Sequence, residues 1–165
     1  MKLLLTAMVS SIVALLAQPI VLVVWLALPI VLAGGDMSWS DLGPIFFYSI
    51  LFAVPFVLLL GVPLSFVLWR LGRFHWRLLA SAGTVAGALF AGWDLPGGDS
   101  GYSSGGNWYG RNVDFVVAGV PTLYGWLSYF QSVLVFALHG LAGATAYYWV
   151  WTSVLHPNHS FKPKP

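Results

Sequence analysis

The fold of this chain follows from one basic stretch, Arg70-Leu71-Gly72-Arg73-Phe74-His75-Trp76-Arg77. It contains three of the seven Lys and Arg residues and lies between two long apolar runs. Short, positively charged loops between membrane helices stay on the cytoplasmic side. The stretch therefore predicts the cytoplasmic turn of a membrane hairpin, anchored by Arg70, Arg73 and Arg77. Binding of anionic lipid headgroups is an alternative role for these arginines.

Composition places the protein in a membrane. The 165 residues are 59% hydrophobic and 7% charged, whereas soluble domains have about 25% charged residues. A chain this short and apolar cannot cover a soluble core with polar surface, so we expect a single transmembrane domain over residues 1–165. The net charge of +2 gives no reason to expect a nucleic-acid partner, and the absence of Cys excludes disulfides and thiolate metal sites.

Four apolar segments predict transmembrane helices over 3–33, 44–69, 78–93 and 126–152, and hence an all-α membrane protein, a four-helix bundle. The first segment also resembles a signal peptide, since Lys2 precedes it and Leu15-Leu16-Ala17 resembles a cleavage site. Cleavage there would leave about 14 apolar residues, too few to span, so an uncleaved helix is favoured. Pro55 and Pro63 predict a bend in the second span, which serves packing or gating.

The distribution of charge predicts the orientation. With both termini cytoplasmic, the inner side holds six basic residues: Lys2, Arg70, Arg73, Arg77, Lys162 and Lys164. The outer side then holds Arg111 and all five acidic residues. This asymmetry is the one that the positive-inside rule expects. We therefore expect a multi-pass protein of a bacterial inner membrane, with cytoplasmic N- and C-termini.

Small residues on two spans predict close helix packing. Gly83, Gly87 and Ala91 recur at four-residue spacing in the third span, and Gly143 lies on a small, polar face of the last. In lipid, such a stripe allows another backbone to approach closely. The partner is a helix of this chain or of a second copy, and the internal partner is our interpretation.

His139 is the ionisable residue near the middle of a predicted span, which makes it a candidate functional residue. At about 100° per residue it lies on the small, polar face of its helix and should point into the bundle. In a functional role it would relay protons, line an ion path or bind a metal. In a structural role it would be a neutral residue hydrogen-bonded to Gln18 or Thr84. No intramembrane carboxylate completes a relay. We favour the structural role, with Gln18 as partner.

The segment 94–125 is the predicted outer loop. Its candidate interaction residues are Asp94, Asp99, Trp108, Tyr109, Arg111 and Asp114, a composition typical of recognition surfaces. The acidic residues could bind calcium, but pairing of Asp94 or Asp114 with Arg111 is the simpler expectation. Residues 113–124 are too short to span and should lie in the interface or re-enter the membrane.

Chemistry-bearing motifs are missing from the sequence. It contains no P-loop, no zinc-protease motif and no nucleophilic triad order, so we expect no enzyme, no cofactor and no metal. His156 and His159 are too few to hold a metal by themselves. Interaction with a protein partner, as an accessory subunit or an immunity-type protein, fits best. A small oligomeric transporter or channel using His139 is the alternative, ahead of an enzyme acting on a lipid-like substrate.

Overall fold

The computed structural model describes residues 2–32 and 38–155. It is mostly helical and has a small antiparallel sheet. The helices are α1 (Lys2–Leu16), α2 (Gln18–Leu32), α3 (Trp39–Phe56), α4 (Val62–Arg70), α5 (Trp76–Gly92) and α6 (Leu123–Leu155), with a π-helical turn at Val57–Gly61. The strands are β1 (Ser104–Trp108), β2 (Arg111–Val117) and β3 (Val120–Pro121).

Three helical stretches of the described chain are long and apolar enough to cross a membrane: Lys2–Leu26, Leu42–Arg70 and Leu123–Val154. Within each stretch an 18-residue window is strongly apolar, with mean hydropathies of 2.3, 2.6 and 1.4 respectively. They support the prediction of a membrane protein with transmembrane helices. The predicted third span corresponds to α5, which has 17 residues and is shorter than the other three.

The first apolar run, predicted as one span, consists of two helices. A turn at Ala17 separates α1 from α2, and Pro19 follows in the first turn of α2. Proline has no N–H to donate to the preceding turn, but it is tolerated at the start of a helix. Pro19 is fully buried, so the break lies inside the bundle.

The prolines of the second run coincide with a π-helical turn. Pro55 lies one residue before the end of α3, and Pro63 lies in the first turn of α4. Between them the N–H of Val62 bonds to the carbonyl of Val57, five residues back. The Ser65 hydroxyl donates to the Gly61 carbonyl one turn back at 2.6 Å, as serine commonly does in a helix.

The all-α prediction is wrong for the outer segment, because much of the expected loop 94–125 is a three-stranded meander in the order β1-β2-β3. Two-residue turns connect the strands, Tyr109-Gly110 and Ala118-Gly119, and all four residues have positive φ between 49° and 83°. Turns of this hand match the twist of paired strands. Residues 113–124, expected to lie in the interface or re-enter, form most of β2, all of β3 and the start of α6.

Helices α5 and α6 run antiparallel and form the most extensive helix pair. At one end, Phe74 of the basic turn packs on Trp151 with ring centroids 5.2 Å apart, and Leu3 joins the same cluster. At the other end, the Tyr129 hydroxyl donates to the carbonyl of Gly92, near the sheet. The N-terminal helix, the basic turn and the end of α6 therefore meet at one end, opposite the sheet.

Candidate functional site

His139 and Gln18 form a hydrogen bond between α6 and the first residue of α2. Nδ1 of His139 lies 2.8 Å from Oε1 of Gln18, as expected from the sequence. Gln18 is buried, and His139 is half-buried. The break at Ala17 places Gln18 beside the last turn of α1, where its Nε2 donates to the Ala14 carbonyl at 2.9 Å.

The hydrogen bond to Ala14 determines which atoms face the histidine. A backbone carbonyl only accepts, so the amide nitrogen of Gln18 must face Ala14 and its oxygen must face His139. That oxygen only accepts, so Nδ1 carries the proton. In a neutral imidazole the other nitrogen, Nε2, is then a hydrogen-bond acceptor. Among the described residues, no group bonds to Nε2 of His139.

Glycines allow these helices to approach closely. A Cβ at Gly143 would lie 2.5 Å from Nε2 of Gln18, so a larger residue there would displace the glutamine. On α5, Gly83 faces Gly140, and Gly87 faces the backbone of Phe136. The small-residue stripe therefore packs on α6 of the same chain, and Ala91 lies half-buried at its end.

Thr84, the other candidate partner of His139, bonds elsewhere. Its hydroxyl donates to the Ala80 carbonyl of its own helix at 2.8 Å. Threonine in a helix commonly satisfies its hydroxyl in this way. The histidine therefore pairs with Gln18 and not with Thr84.

A cavity of about 380 Å³ lies beside the His139–Gln18 pair, and the sequence had not indicated it. It is partly open and bounded by α1, α2, the second span, α5 and α6. Apolar side chains and glycines make up most of its wall. The polar residues of the wall are Gln18, Tyr48, Ser49, His139 and Tyr147.

Several buried polar residues near the pair were missed in the sequence. Thr6, Ser10 and Ser11 are buried along α1, in line with Ala14 and Gln18. Their spacing of three and four residues was the available signal, because it puts them on one helix face. Thr6 and Ser11 donate to carbonyls one turn back, whereas the Ser10 hydroxyl has no partner among the described residues.

Tyr147 is a further missed residue. Its side chain is 3% exposed, one turn beyond Gly143 on α6. The hydroxyl lies near Ser65 but makes no hydrogen bond of good geometry in the described chain. A buried hydroxyl without a partner is uncommon in proteins and calls for an explanation.

The three-stranded sheet is fixed to α6 by a chain of side-chain hydrogen bonds. Nε1 of Trp108 donates to Oε1 of Gln131 at 3.1 Å, and Nε2 of Gln131 donates to the Tyr109 hydroxyl at 2.9 Å. The Trp108 ring also packs edge-on against Tyr124, with centroids 5.4 Å apart. One glutamine of α6 therefore holds both candidate aromatic residues.

Thr122 joins the sheet to the first turn of α6. Its hydroxyl accepts from the N–H of Gly125 at 3.1 Å, as an N-cap does, and donates to the Asp114 carbonyl at 2.5 Å. Gly125 is buried against the Phe115 carbonyl, where a Cβ would overlap that oxygen. The sheet is thus a rigid extension of α6.

The charged candidates of the outer segment are exposed and separate: Asp94, Asp99, Arg111 and Asp114. The expected pairing of Arg111 with Asp94 or Asp114 is not seen in residues 2–32 and 38–155. In the same residues no three His, Asp or Glu side chains converge as metal ligands would. His156 and His159 lie outside the described residues.

Comparison with known proteins gives no relative: no family model, curated protein or solved structure matches this chain.

Proposed function

We propose that this chain is a multi-pass protein of a bacterial inner membrane that acts by binding a protein partner through its outer sheet. The partner interaction would be that of an accessory subunit or an immunity-type protein.

Helix α5 serves as the fourth span. Its 17 residues give a length of about 26 Å, slightly less than the roughly 30 Å of a bilayer core. Short helices are accommodated by local thinning and by snorkelling of flanking side chains, and Arg77 is placed to snorkel. Close antiparallel packing on α6 supports the same depth for both helices.

The distribution of charge supports the orientation. Arg70, Arg73 and Arg77 are exposed at the end where Leu3 and Trp151 meet. The exposed acids Asp94, Asp99 and Asp114 belong to the segment at the opposite end. Since positive charge marks the cytoplasmic side, the sheet faces outward and both termini face the cytoplasm.

The binding surface is the face of the sheet around Tyr109 and Arg111. The observation that carries this proposal is the Trp108–Gln131–Tyr109 chain of hydrogen bonds, which holds an aromatic hairpin rigidly on a membrane helix. Rigid aromatic residues bind with little loss of side-chain entropy, and Tyr, Trp and Arg are enriched at interfaces. Tyr109, Arg111 and Asn112 are exposed and free to meet a partner.

Site-specific photo-crosslinking in intact cells tests this proposal. A photoreactive residue at Asn112 should give one protein adduct of defined mass, and Arg111→Ala should weaken it. The control position is Leu59, which is 72% exposed on the apolar second span. Absence of an adduct at 112, or the same adduct from 59, contradicts a partner site on the sheet.

A small oligomeric transporter or channel remains the second candidate, favoured by one observation: His139 lies on the wall of the cavity. In this role His139 would titrate or coordinate along the path. Proton or ion flux into proteoliposomes tests it. If His139→Gln abolishes the flux while the protein stays fully folded, the transporter or channel becomes the first candidate.

A further inference from the structure

We propose that the cavity beside His139 binds an amphiphile from the bilayer, with its apolar chain in the cavity and a hydrogen-bond donor, such as a hydroxyl, on Nε2 of His139. This site goes beyond the proposed partner interaction, because it uses the interior of the bundle and not the outer sheet. The amphiphile site in the bundle and the partner site on the sheet can therefore be tested, and can fail, independently.

The wall of the cavity suits an apolar chain. Its volume of about 380 Å³ falls within the roughly 300–1,000 Å³ of small-molecule sites. Ala53, Phe56 and Leu60 line one side, and glycines of α5 and α6 line another. The cavity is partly open and lies between segments that can span a membrane, so we expect hydrocarbon chains to enter it from the bilayer.

The hydrogen bonds of Gln18 specify which polar group the site accepts. Ala14 fixes the Gln18 amide, the amide oxygen fixes the proton on Nδ1 of His139, and Nε2 is left as an acceptor. A ligand hydroxyl can donate to Nε2, whereas an ether or ester oxygen cannot. In apolar surroundings a polar group without a hydrogen bond is unfavourable, so the site should bind an alcohol more tightly than an ether or an ester.

The imidazole is held in place before any ligand arrives. Gly143 leaves the space in which the Gln18 amide lies against α6, and Gln18 in turn fixes the ring of His139. A polar group held by its neighbours binds with little reorganisation. The hydrogen bond from Nδ1 to Gln18 therefore holds the ring of His139 and leaves its other nitrogen, Nε2, ready for a ligand.

The Tyr147 side chain lines the same cavity. Its hydroxyl is buried and lies near Ser65, so the polar atom left for a ligand is Nε2 of His139.

The test compares two probes with the same chain, dodecanol and dodecyl methyl ether. Each is titrated calorimetrically into protein in lipid nanodiscs, with partition into protein-free nanodiscs subtracted. Dodecanol should bind about three- to twentyfold more tightly than the ether, the range expected for one hydrogen bond inside a membrane protein. It should also shift the NMR signal of His139 Nε2, which the ether should not. Equal affinity of the two probes, or binding of neither, overturns the proposal.

Three variants locate the site. His139→Phe keeps a ring but removes the acceptor, so the preference for the alcohol should disappear. His75→Phe makes the same change at an exposed position of the basic turn and should keep the preference. Ala53→Phe fills the cavity and should weaken both probes. Should His139→Phe fail to fold, the wild-type comparison and Ala53→Phe still decide. A preference that survives in folded His139→Phe contradicts the proposed contact.

Discussion

Gly83 of α5 and Gly140 of α6 lie backbone against backbone. A Cβ on Gly83 would lie 2.5 Å from the Gly140 carbonyl oxygen, and a Cβ on Gly140 would overlap the Gly83 carbonyl. In lipid the association of helices depends on van der Waals packing and hydrogen bonds, so this contact contributes directly to the stability of the bundle. The small-residue stripe of α5 therefore packs on a helix of the same chain.

Substitution of the stripe should therefore destabilise the monomer. Gly83→Ala or Gly140→Ala should lower the free energy of unfolding by about 1–3 kcal/mol, the usual effect of overpacking. Gly83→Leu and Gly87→Leu should be worse. Unfolding in mixed micelles measures the change. Gly61→Ala is the matched control, because a Cβ there meets only the Phe56 carbonyl at 3.8 Å. Unchanged stability with loss of a dimer would instead make the stripe an oligomer contact.

The His139–Gln18 bond predicts a graded response. Interhelical hydrogen bonds in membranes are worth about 0.6 kcal/mol and at most about 1.7 kcal/mol. His139→Gln can keep the bond and should be nearly silent, whereas His139→Leu should destabilise by up to about 1 kcal/mol. In a Gln18→Leu background the same change should have a smaller effect, because the bond is already absent. Additive effects in this double-mutant cycle would contradict the pairing.

Gln131 should control the outer sheet without affecting the bundle. Gln131→Leu removes the bonds to Trp108 and Tyr109, worth about 1 kcal/mol each. We expect faster amide exchange in residues 104–121 and unchanged exchange in α5. Ser132→Ala is the control, since Ser132 bonds only to its own helix at Ser128. Unaltered exchange in the sheet would show that Thr122 and ring packing suffice.

Reporter fusions test the orientation. A reporter that is active only outside the cytoplasm should work when fused after Ser103 and fail after Gly72 or Pro165. The basis is the position of the basic residues. Replacing Arg70, Arg73 and Arg77 with Ala should leave part of the population inverted. The reverse pattern of activity would rule out cytoplasmic termini.

Membrane character, the direction of His139 and its partner could be read from the sequence. Length and hydropathy are sums over many residues, and helical periodicity fixes which residues share a face. Gln18 could be selected because few other polar residues lie at the same depth. The packing of Gly83 and Gly87 followed from their spacing, although only the structure identifies α6 as the partner.

The sheet could have been predicted and was not. Val113 and Phe115 alternate with the polar residues Asn112 and Asp114 along β2, and a glycine stands in each of the two-residue turns, at positions 110 and 119. The surrounding glycines and the expectation of an all-helical protein concealed this pattern. The bond between Trp108 and Gln131 depends on this sheet, so it could not be predicted without it.

The cavity and the break at Ala17 could not have been predicted in the same way. A cavity results from the imperfect fit of five helical segments, and its volume depends on tilts and rotations that no local pattern encodes. The turn before Pro19 and the resulting position of Gln18 depend on packing against Ala14 and Gly143.

The separation of Gln18 and His139 along the chain has a consequence for biogenesis. The two residues are 121 positions apart, whereas Trp108 and Gln131 are separated by only 23. The outer sheet can therefore fold as soon as the start of α6 has been synthesised. The bond between Gln18 and His139 must wait until α6 has been synthesised and has packed on α1 and α2, so chains that stop before α6 leave Gln18 without its histidine.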